Sequence, residues 1–343
     1  MDRNYPLNAW YQAAWSNELT EQRMLVRTLL DTPILLLRND DDEVSAILDR
    51  CPHRFVPLSR GRFDGTTLTC GYHGLSFDTA GQCVHNPHGP KASHAQVPTY
   101  PVIEKYERVW IWFGEAELAD PALLPDLDKI DITPATSRSY HHMPMAANWL
   151  LVIDNLLDLS HADYIHPALG GFVTEAKGKL EERPNGVSVR WTAQSADPPL
   201  VFKSWVPEGK ADIWLQADWV APSFVLIDTG AVPEGVTPDR TMWSLHCITP
   251  ETATTCHYFF GFGRDFNVDD LQWTATMGEM GAKAFWEEDK PMIEGQQSRM
   301  RTAGFFAIEP ALLSVDRAAV IVRRRIQKSV DAEVAIRQPV AAE

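Results

Sequence analysis

The sequence predicts an α+β protein with an all-β N-terminal domain and a C-terminal domain in which helices flank an antiparallel sheet. Short β-type runs separated by turn residues fill the first third of the chain, which is typical of an all-β fold. Longer β-type runs and segments with helical periodicity follow. Between them, residues 115–125 are rich in alanine, proline and acidic residues. We therefore place the boundary near residue 118 and predict domains of residues 1–117 and 118–343.

The short runs of the N-terminal domain predict strands in a small antiparallel sandwich or barrel. An acidic turn at residues 39–42 separates the first two apolar runs, and turn residues also separate the later ones. Such regular alternation of short strands and turns favours antiparallel pairing. The predicted strands are 32–38, 44–48, 68–70, 75–77 and 109–113.

The C-terminal domain shows both periodicities. Apolar residues recur at helical spacing over 148–164, and Pro167 cannot continue a helix. Two further helices are predicted, one over 269–290 and one within 310–328. The predicted strands are 187–192, 213–220, 223–227, 242–248 and 256–262. This mixture indicates an antiparallel sheet faced by helices.

Composition and charge exclude several classes of function. The 343-residue chain has a formal net charge of −15, which argues against binding to a nucleic-acid backbone. It has no apolar run of the about 18 residues that a membrane helix needs, and its N-terminus lacks the apolar core of a signal peptide. We therefore expect a cytoplasmic protein that binds neither nucleic acid nor membranes. The five cysteines do not form the pattern of a secreted disulfide framework, so metal ligation or buried thiols are favoured.

Two pairs of cysteine and histidine lie between predicted strands of the N-terminal domain. Cys51 and His53 form the first pair, and Cys70 and His73 form the second. This set suits tetrahedral zinc, which usually takes both cysteines from one arm and both histidines from the other. It also suits a Rieske [2Fe–2S] cluster, in which two cysteines bind one iron and two histidines bind the other. Because each arm here carries one residue of each kind, the pattern favours the cluster over zinc.

The predicted helix over 148–164 contains a second set of polar residues. Asp154, Asp158 and His161 fall on one face of a regular helix, where buried acids are costly unless they are paired or metal-bound. His161 and His166 are five residues apart, so a regular helix cannot direct both at one metal, whereas a widened turn or a helix end can. Two imidazoles and a carboxylate on one face form the site of non-haem Fe(II) oxygenases.

These motifs resemble a known family. The segments CPHR and CGYHGLSFD, which begin at Cys51 and Cys70, resemble the Rieske domain of aromatic-ring-hydroxylating and demethylating oxygenases. The opening NAWY at 8–11 and GQCVHNPHG at 81–89 are more similar to the vanillate and dicamba O-demethylase branch than to the ring dioxygenases. The implied cluster ligands are Cys51 and Cys70 on one iron and His53 and His73 on the other. The cysteine and histidines outside this pattern are interpreted as turn and packing residues: Cys83, His85 and His88.

The same resemblance implies ligands for a mononuclear iron. The family pattern is an acidic or amide residue followed by Asp-x2-His-x4-His, and Asn155, Asp158, His161 and His166 match it position by position. It implies that the two histidines bind Fe(II). The third ligand must be a distant carboxylate, which spacing alone does not identify.

Similarity to the O-demethylase branch around residues 284–289 points to Asp289 as that third ligand. Glu287 and Glu288 precede it directly, so an alignment slip of one residue would move the assignment, and both remain alternatives. A charged, solvated helix end is the competing interpretation of all three acids.

Asp158 has a different implied role. In this family the corresponding aspartate links a cluster histidine of one subunit to an iron-bound histidine of the next. Here that implies a route for electrons from His73 of one chain to His161 of another, and Asp158 and Asn155 are the catalytic candidates. A head-to-tail contact must close into a ring, and family precedent implies a homotrimer.

The resemblance implies the terminal oxygenase of a multicomponent monooxygenase. With O2 as co-substrate, it would hydroxylate the O-methyl carbon of a methoxylated, vanillate-like aromatic acid, and the hemiacetal would release formaldehyde. The sequence shows no GxGxxG motif or recognisable flavin site. A separate flavin and iron–sulfur reductase is therefore expected to deliver electrons from NADH.

Candidates for substrate binding come from the predicted sheet and from the helix before Asp289. His246 suits hydrogen bonding to a substrate carboxylate or phenol, although a buried core histidine explains it equally well. The apolar candidates are Val225, Ile227, Phe260 and Met280.

Three alternative functions remain open at this point. The same iron site supports methyl or ring hydroxylation, or N-demethylation, of another aromatic substrate. The non-enzyme alternative is a Rieske electron carrier. A carrier would need only the N-terminal domain, so the second domain and its histidine motif count against it.

Overall fold

The computed structural model describes residues 5–168 and 176–337. The chain divides into two compact units, one formed by Pro6–Leu124 and the other by Tyr5 together with the chain from Pro125 onward. The predicted α+β class is confirmed, because the first unit carries small antiparallel sheets and the second a seven-stranded antiparallel sheet with helices. The division falls after the predicted boundary at residue 118. Trp10 Nε1 donates to the carbonyl of Asp120 at 2.9 Å, which ties the segment beyond residue 118 to the first strand.

Three antiparallel sheets form the N-terminal unit. Its strands are β1 (Trp10–Trp15), β2 (Met24–Leu29), β3 (Thr32–Arg38), β4 (Val44–Leu48), β5 (Arg62–Phe63), β6 (Thr67–Thr69), β7 (Ser76–Asp78), β8 (Cys83–His85), β9 (Thr99–Tyr100), β10 (Val102–Lys105) and β11 (Arg108–Trp112), and helix α1 (Ser16–Glu21) follows β1. The sheet orders are β1-β11-β10, β2-β3-β4-β9 and β5-β6-β7-β8. One hydrophobic core joins Leu35, Leu68 and Phe77 to Cys51 and Cys70, so both cysteine loops are anchored in the core.

The C-terminal unit is built around a single large sheet. Its strands are β12 (Arg138–Met145), β13 (Lys177–Arg183), β14 (Gly186–Ala196), β15 (Ala211–Val220), β16 (Phe224–Pro233), β17 (Met242–Thr252) and β18 (Thr255–Arg264). Their order is β12-β18-β17-β16-β15-β14-β13. The five predicted strands all occur, each longer than predicted. The two edge strands were not predicted, because β12 contains Pro144 and β13 is dominated by charged residues, as edge strands often are.

The helices depart from the predicted pattern in several places, two of which lie at the candidate site. They are α2 (Asp128–Ile132), α3 (Trp149–Leu157), α4 (Ala162–Ile165), α5 (Leu271–Lys283), α6 (Lys290–Met300) and α7 (Arg317–Arg337). The single helix predicted over 148–164 is wrong, because α3 ends at Asp158 and a 3-10 turn precedes α4. The helix predicted over 269–290 runs on to Met300, with a wider π-helical segment at Ala284–Asp289. Within the described residues, no helix combines the length and apolarity that crossing a membrane requires.

Helix α3 is almost entirely buried, and its one inward acid is paired. Arg323 on α7 donates to both carboxylate oxygens of Asp154 at 2.5–3.2 Å. The partner lies 169 residues along the chain, so local spacing gave no indication of it. Breaking a buried pair of this kind leaves an uncompensated charge, so the contact fixes α3 against α7.

One face of the large sheet supports the helices that carry the candidate site. The register places Val225 beside His246 and Ile227 beside Ser244, with their side chains on the same face. Phe285 in the π-helical segment packs on this face, where its ring centroid lies 5.0 Å from that of Phe260. The candidate site therefore lies between the sheet, α3, α4 and the π-helical segment.

Candidate metal centres and substrate cavity

The two Cys–His loops of the N-terminal unit share one backbone geometry. Phe55 N donates to the carbonyl of Cys51 at 2.9 Å, and Gly74 N donates to the carbonyl of Cys70 at 3.1 Å. Phe55 and Gly74 hold equivalent positions, and both have a left-handed backbone with φ of 60° and 73°. The two loops therefore close with the same turn, although the histidine follows the cysteine by two residues in the first loop and by three in the second.

The four side chains of this site separate into two pairs. Cys51 and Cys70 are buried, and burial together with the neighbouring Cys70 raises the pKa of Cys51. The rings of His53 and His73 lie on the outer side with centroids 4.5 Å apart. A tetrahedral zinc ion requires its ligand atoms to lie close to one another. Among the described residues, no three ligand atoms from these four side chains lie within 4.8 Å of one another. A buried thiol pair and a separate imidazole pair fit a two-iron cluster with one iron for each pair.

One of the residues that the sequence assigns to turns and packing, His88, contacts the second loop. A ring nitrogen of His88 is 2.9 Å from the carbonyl oxygen of His73. Cys83 is buried, and its Sγ lies 3.5 Å from the carbonyl of His85. The contact of His88 could not be predicted from spacing, because it spans 15 residues between two turns.

In the C-terminal unit, the end of α3 brings two histidines together. Asp158 leaves helical geometry with φ −99° and ψ 89°, and its Oδ1 accepts hydrogen bonds from Ser160 N at 3.0 Å and Ser160 Oγ at 2.5 Å. The backbone departs from helical geometry a second time at His166, which ends α4 with φ −111° and ψ 87°. The ring centroids of His161 and His166 consequently lie 5.2 Å apart, whereas five residues along a regular helix would separate them by about 140°.

A carboxylate from the π-helical segment completes this group. His161, His166 and Asp289 place one ligand atom each within 4.8 Å of one another, and no other group of three or more His, Cys, Asp or Glu does so in the described parts of the chain. His161 Nε2 lies 3.5 Å from Asp289 Oδ1, and His166 Nε2 lies 3.4 Å from Asp289 Oδ2.

The three consecutive acids take three different positions. Glu287 is exposed, with an oxygen 3.7 Å from the Lys283 ammonium. Glu288 Oε2 is 2.7 Å from His166 Nδ1. Asp289 is buried, and the structure brings it, rather than Glu287 or Glu288, to the Nε2 atoms of both imidazoles.

In both imidazoles Nδ1 has a hydrogen-bond partner, and Nε2 is directed towards Asp289. His161 Nδ1 is hydrogen-bonded to the backbone carbonyl of Asp158. His166 Nδ1 donates to the carboxylate of Glu288. Partners of this kind fix the tautomer and the ring orientation of metal-binding histidines. Spacing offered Glu288 only as an alternative ligand and did not predict its orienting contact with His166.

The electrostatics of the group suit a bound cation. Asp289 Oδ2 is buried and has no hydrogen-bond partner among the described residues, while Oδ1 accepts from Asn155 Nδ2 at 2.9 Å. Burial lowers the pKa of His161. For His166, burial also acts to lower the pKa, but the carboxylates of Asp289 and Glu288 outweigh it and raise the pKa. Two imidazole nitrogens and an orphaned carboxylate oxygen are the donor set of non-haem Fe(II) sites.

A cavity of about 480 Å³ lies beside this group, and all three candidate ligands line it. Its volume falls within the range of pockets that enclose small-molecule ligands. Most of the lining is apolar and comes from α3, α4, the sheet and the segment before Asp289. Apolar side chains of the wall include Leu159, Phe202, Ile227, Met242, Phe262 and Phe285.

The predicted substrate-binding residues divide into two groups. Ile227 and Met280 line the cavity. Val225, His246 and Phe260 are fully buried and are not among the described residues that line it.

His246 occupies a closed environment behind the cavity wall. One ring nitrogen is 2.8 Å from Ser244 Oγ, and the other is 2.8 Å from the Tyr258 hydroxyl. Phe285, which does line the cavity, packs against the imidazole with centroids 5.4 Å apart. Complete burial lowers the pKa of His246 to about 3, so the ring is neutral near neutral pH.

Comparison with known proteins identifies both units. Residues 9–101 match the Rieske [2Fe-2S] domain, and residues 145–332 match the vanillate O-demethylase oxygenase C-terminal domain. The chain is 39% identical over 339 residues to dicamba O-demethylase, oxygenase component, from Stenotrophomonas maltophilia, covering 96% of this chain and 98% of that protein. It is 33% identical over 342 residues to chloroacetanilide N-alkylformylase, oxygenase component, from Rhizorhabdus wittichii, covering 95% and 96%.

A solved structure agrees with these matches. The crystal structure of dicamba monooxygenase bound to 3,6 dichlorosalicylic acid superposes with a TM-score of 0.89 and 36% sequence identity, covering 96% of this chain and 98% of that one. The predicted [2Fe–2S] cluster, non-haem iron and O2 co-substrate are confirmed by these matches together with the His161, His166 and Asp289 group. The electron-carrier alternative is excluded, because a catalytic domain follows the Rieske domain. The chain belongs to the Rieske non-haem iron oxygenases, as an oxygenase component similar to those of dicamba and vanillate O-demethylases.

Proposed function

We propose that this chain is the terminal oxygenase of a system that demethylates a methoxylated aromatic compound and releases formaldehyde. The observation that carries the proposal is the apolar cavity beside His161, His166 and Asp289, which lets a methyl group approach the candidate iron site. Iron bound there would bind and activate O2 with electrons passed on by the cluster. Within this substrate class, the sequence resemblance favours a vanillate-like acid, whereas the cavity lining favours a neutral compound.

The overall reaction balances with electrons supplied from outside the chain. O2, two electrons and two protons are consumed, one oxygen atom enters a methyl C–H bond as a hydroxyl group, and the other leaves as water. The resulting hemiacetal then breaks its bond between the former methyl carbon and the ether oxygen. The products are a phenol and formaldehyde.

The proposed ligands follow from the geometry of the two sites. Cys51 and Cys70 would hold one iron of the cluster, and His53 and His73 the other. The mononuclear iron would be held by His161, His166 and Asp289. Their convergence within 4.8 Å and the orphaned oxygen of Asp289 support this assignment.

Neighbouring residues would keep these ligands in position. Asn155 holds Oδ1 of Asp289, which leaves Oδ2 for the metal. The carbonyl of Asp158 and the carboxylate of Glu288 orient the two imidazoles. We retain Asp158 and Asn155 as the catalytic candidates, with Asp158 proposed to link the cluster of one subunit to His161 of the next.

We propose two kinds of partner. A separate flavin and iron–sulfur reductase would deliver electrons from NADH, since the name of the similar dicamba protein describes one component of a larger system. A homotrimer would close the head-to-tail route through Asp158. Analytical ultracentrifugation checks this: a trimer is expected, and a monomer that turns over substrate would contradict it.

N-dealkylation is a second candidate, favoured by the 33% identity to chloroacetanilide N-alkylformylase, oxygenase component. Hydroxylation of a carbon bound to nitrogen gives a carbinolamine, which collapses in the same way as the hemiacetal. The two reactions therefore make the same demands on the site.

Turnover with a surrogate Rieske-system reductase and NADH tests the proposal. We expect aryl methyl ethers to give phenol and formaldehyde in equal amounts, with matching O2 uptake. A His161→Ala variant is expected to lose this activity while its cluster remains reducible. A cis-diol, or a hydroxylated product that keeps its methoxy group, would contradict demethylation.

A further inference from the structure

We propose that the natural substrate is a neutral, predominantly apolar aromatic ether or amide whose body fills the cavity, rather than an aromatic carboxylate. This inference rests on the proposed function, since it assumes that the cavity beside His161, His166 and Asp289 holds the substrate. It concerns only the charge and polarity of that substrate.

The first observation is the shortage of cationic side chains in the cavity. Apart from the two candidate iron ligands, Lys283 is the basic residue among the described lining residues. Its side chain is 65% exposed, and its ammonium lies 3.7 Å from the Glu287 carboxylate, so it faces solvent and already has an acidic neighbour. The sequence of residues 169–175, which the structure does not describe, contains no Lys, Arg or His.

The second observation is that the polar side chains of the wall are already engaged. Ser244 Oγ is 2.8 Å from a ring nitrogen of His246, and Thr229 Oγ1 donates to the carbonyl of Trp214 at 3.0 Å. Asn155 Nδ2 donates to Asp289. None of these contacts leaves a pair of donors directed at a carboxylate.

The third observation concerns His246, the residue that the sequence offered for acid recognition. It is fully buried, it is not among the described lining residues, and both of its ring nitrogens have partners. Recognition of a carboxylate by this residue would require Phe285 to move and an existing hydrogen bond to break.

These observations together select against a charged substrate. Burying a carboxylate without a cation or donor pair is strongly unfavourable, whereas apolar surface is stabilised by removal from water. Glu288 also lines the cavity and would repel an anion. The chemistry of the described lining residues therefore matches a neutral ligand.

Anaerobic calorimetry on the iron-loaded holoenzyme tests the inference without turnover. The matched ligands are para-methoxybenzoate and para-methoxyacetophenone, which are similar in size and differ in charge, with methoxynaphthalene as a larger apolar probe. We expect both neutral ligands to bind at least about tenfold more tightly than the acid. Equal or tighter binding of the acid would overturn the inference.

Two variants locate the cause of the preference. Ile227→Lys places a cation in the wall and is expected to raise the affinity ratio of acid to ketone by about tenfold or more, with Ile227→Met as the uncharged control of similar length. Lys283→Met is expected to leave that ratio within about twofold of the wild type. If Lys283→Met instead abolishes acid binding that was tight in the wild type, Lys283 is an acid-recognition residue and the inference is wrong.

Formaldehyde measurements separate this inference from the proposed function. Tight binding of the neutral ligands without formaldehyde from any ether would overturn demethylation and leave the binding preference standing. Formaldehyde released faster from para-methoxybenzoate than from the ketone would support demethylation and overturn the neutral-substrate inference.

Discussion

Glu288 and Asp289 are neighbours in sequence but meet the same imidazole on different atoms. Asp289 faces His166 Nε2, and Glu288 accepts from His166 Nδ1. One carboxylate thus takes the position of a metal ligand, and the other holds the ring so that its lone pair points into the site. This arrangement explains why two acids stand side by side at the end of the π-helical segment.

Replacing Glu288 tests the orienting role. In Glu288→Gln the amide keeps the size of the side chain but loses the charge that favours Nδ1–H, so we expect the affinity for mononuclear iron to fall by about 10–100-fold. Glu287→Gln is the matched control, because its side chain is exposed and does not contact His166. Iron retention during titration with a chelator measures the difference.

The visible spectrum of the cluster shows whether the effect of the substitution is confined to the mononuclear iron. It is expected to stay unchanged in both variants, because Glu288 belongs to the C-terminal unit and the cysteine loops to the other. Equal iron retention in Glu288→Gln and the wild type would contradict the orienting role.

The buried imidazole of His246 makes the free energy of unfolding depend on pH, and the direction of that dependence follows from its pKa. Its pKa is about 3 in the folded chain and about 6.5 when unfolded, so below about pH 6.5 the unfolded chain takes up a proton that the native chain does not. The stability contributed by the neutral ring is therefore complete above that pH and is lost as the pH falls towards 3.

A His246→Gln variant isolates this effect. At about pH 8 the wild type is expected to be the more stable, and by about pH 5.5 its advantage should shrink by about 1.4 kcal/mol. Chemical denaturation followed by tryptophan fluorescence measures the gap. A gap that is constant or grows on acidification would show that His246 is charged in the native protein.

At the level of single residues, the sequence was most informative where a motif fixes the chemistry. The Cys–His arms could be located from their spacing, whereas the His161/His166 pair was identified through the family resemblance. Val225, His246 and Phe260 could be assigned to strands of the sheet but could not be placed relative to the cavity. Alternation along a strand gives the face of a residue, whereas Phe285, which packs between two of these side chains and the cavity, comes from a distant segment.

Two departures from regular helix position the candidate iron ligands. Asp158 ends α3 and lets His161 and His166 converge, and the segment Ala284–Asp289 widens by one residue per turn and turns Asp289 inward. Periodicity predicted helices in both places because the apolar pattern persists through the break.

Deleting Glu287 tests the role of the π-helical turn. Removing one residue should restore a regular helix and rotate Asp289 by about 100° relative to the preceding residues, away from His161. We expect the mononuclear iron to be lost while the cluster spectrum is retained. Glu287→Ala keeps the residue count and should retain the iron. Retention of the iron after the deletion would show that the wider turn is not required.

The two units of the chain each carry one candidate metal site and can be described independently. The alternation of strands and turns predicted the fold class of the first unit, and the mixture of strand and helix periodicities predicted that of the second. Edge strands β12 and β13 could not be predicted, because exposure at the edge of a sheet permits proline and charge. The ion pair between Asp154 and Arg323 could not be predicted from local sequence patterns either, because the two residues are 169 positions apart.

The central claim is that one chain holds a two-iron cluster and a separate mononuclear iron. Iron and acid-labile sulfide, measured per chain on anaerobically purified wild type and Asp289→Ala, test it most directly. The account predicts about three iron atoms and about two sulfides in the wild type, falling to about two iron atoms with sulfide and visible spectrum unchanged in the variant. Zinc in place of sulfide, or an Asp289→Ala variant with the full iron content of the wild type, would contradict it.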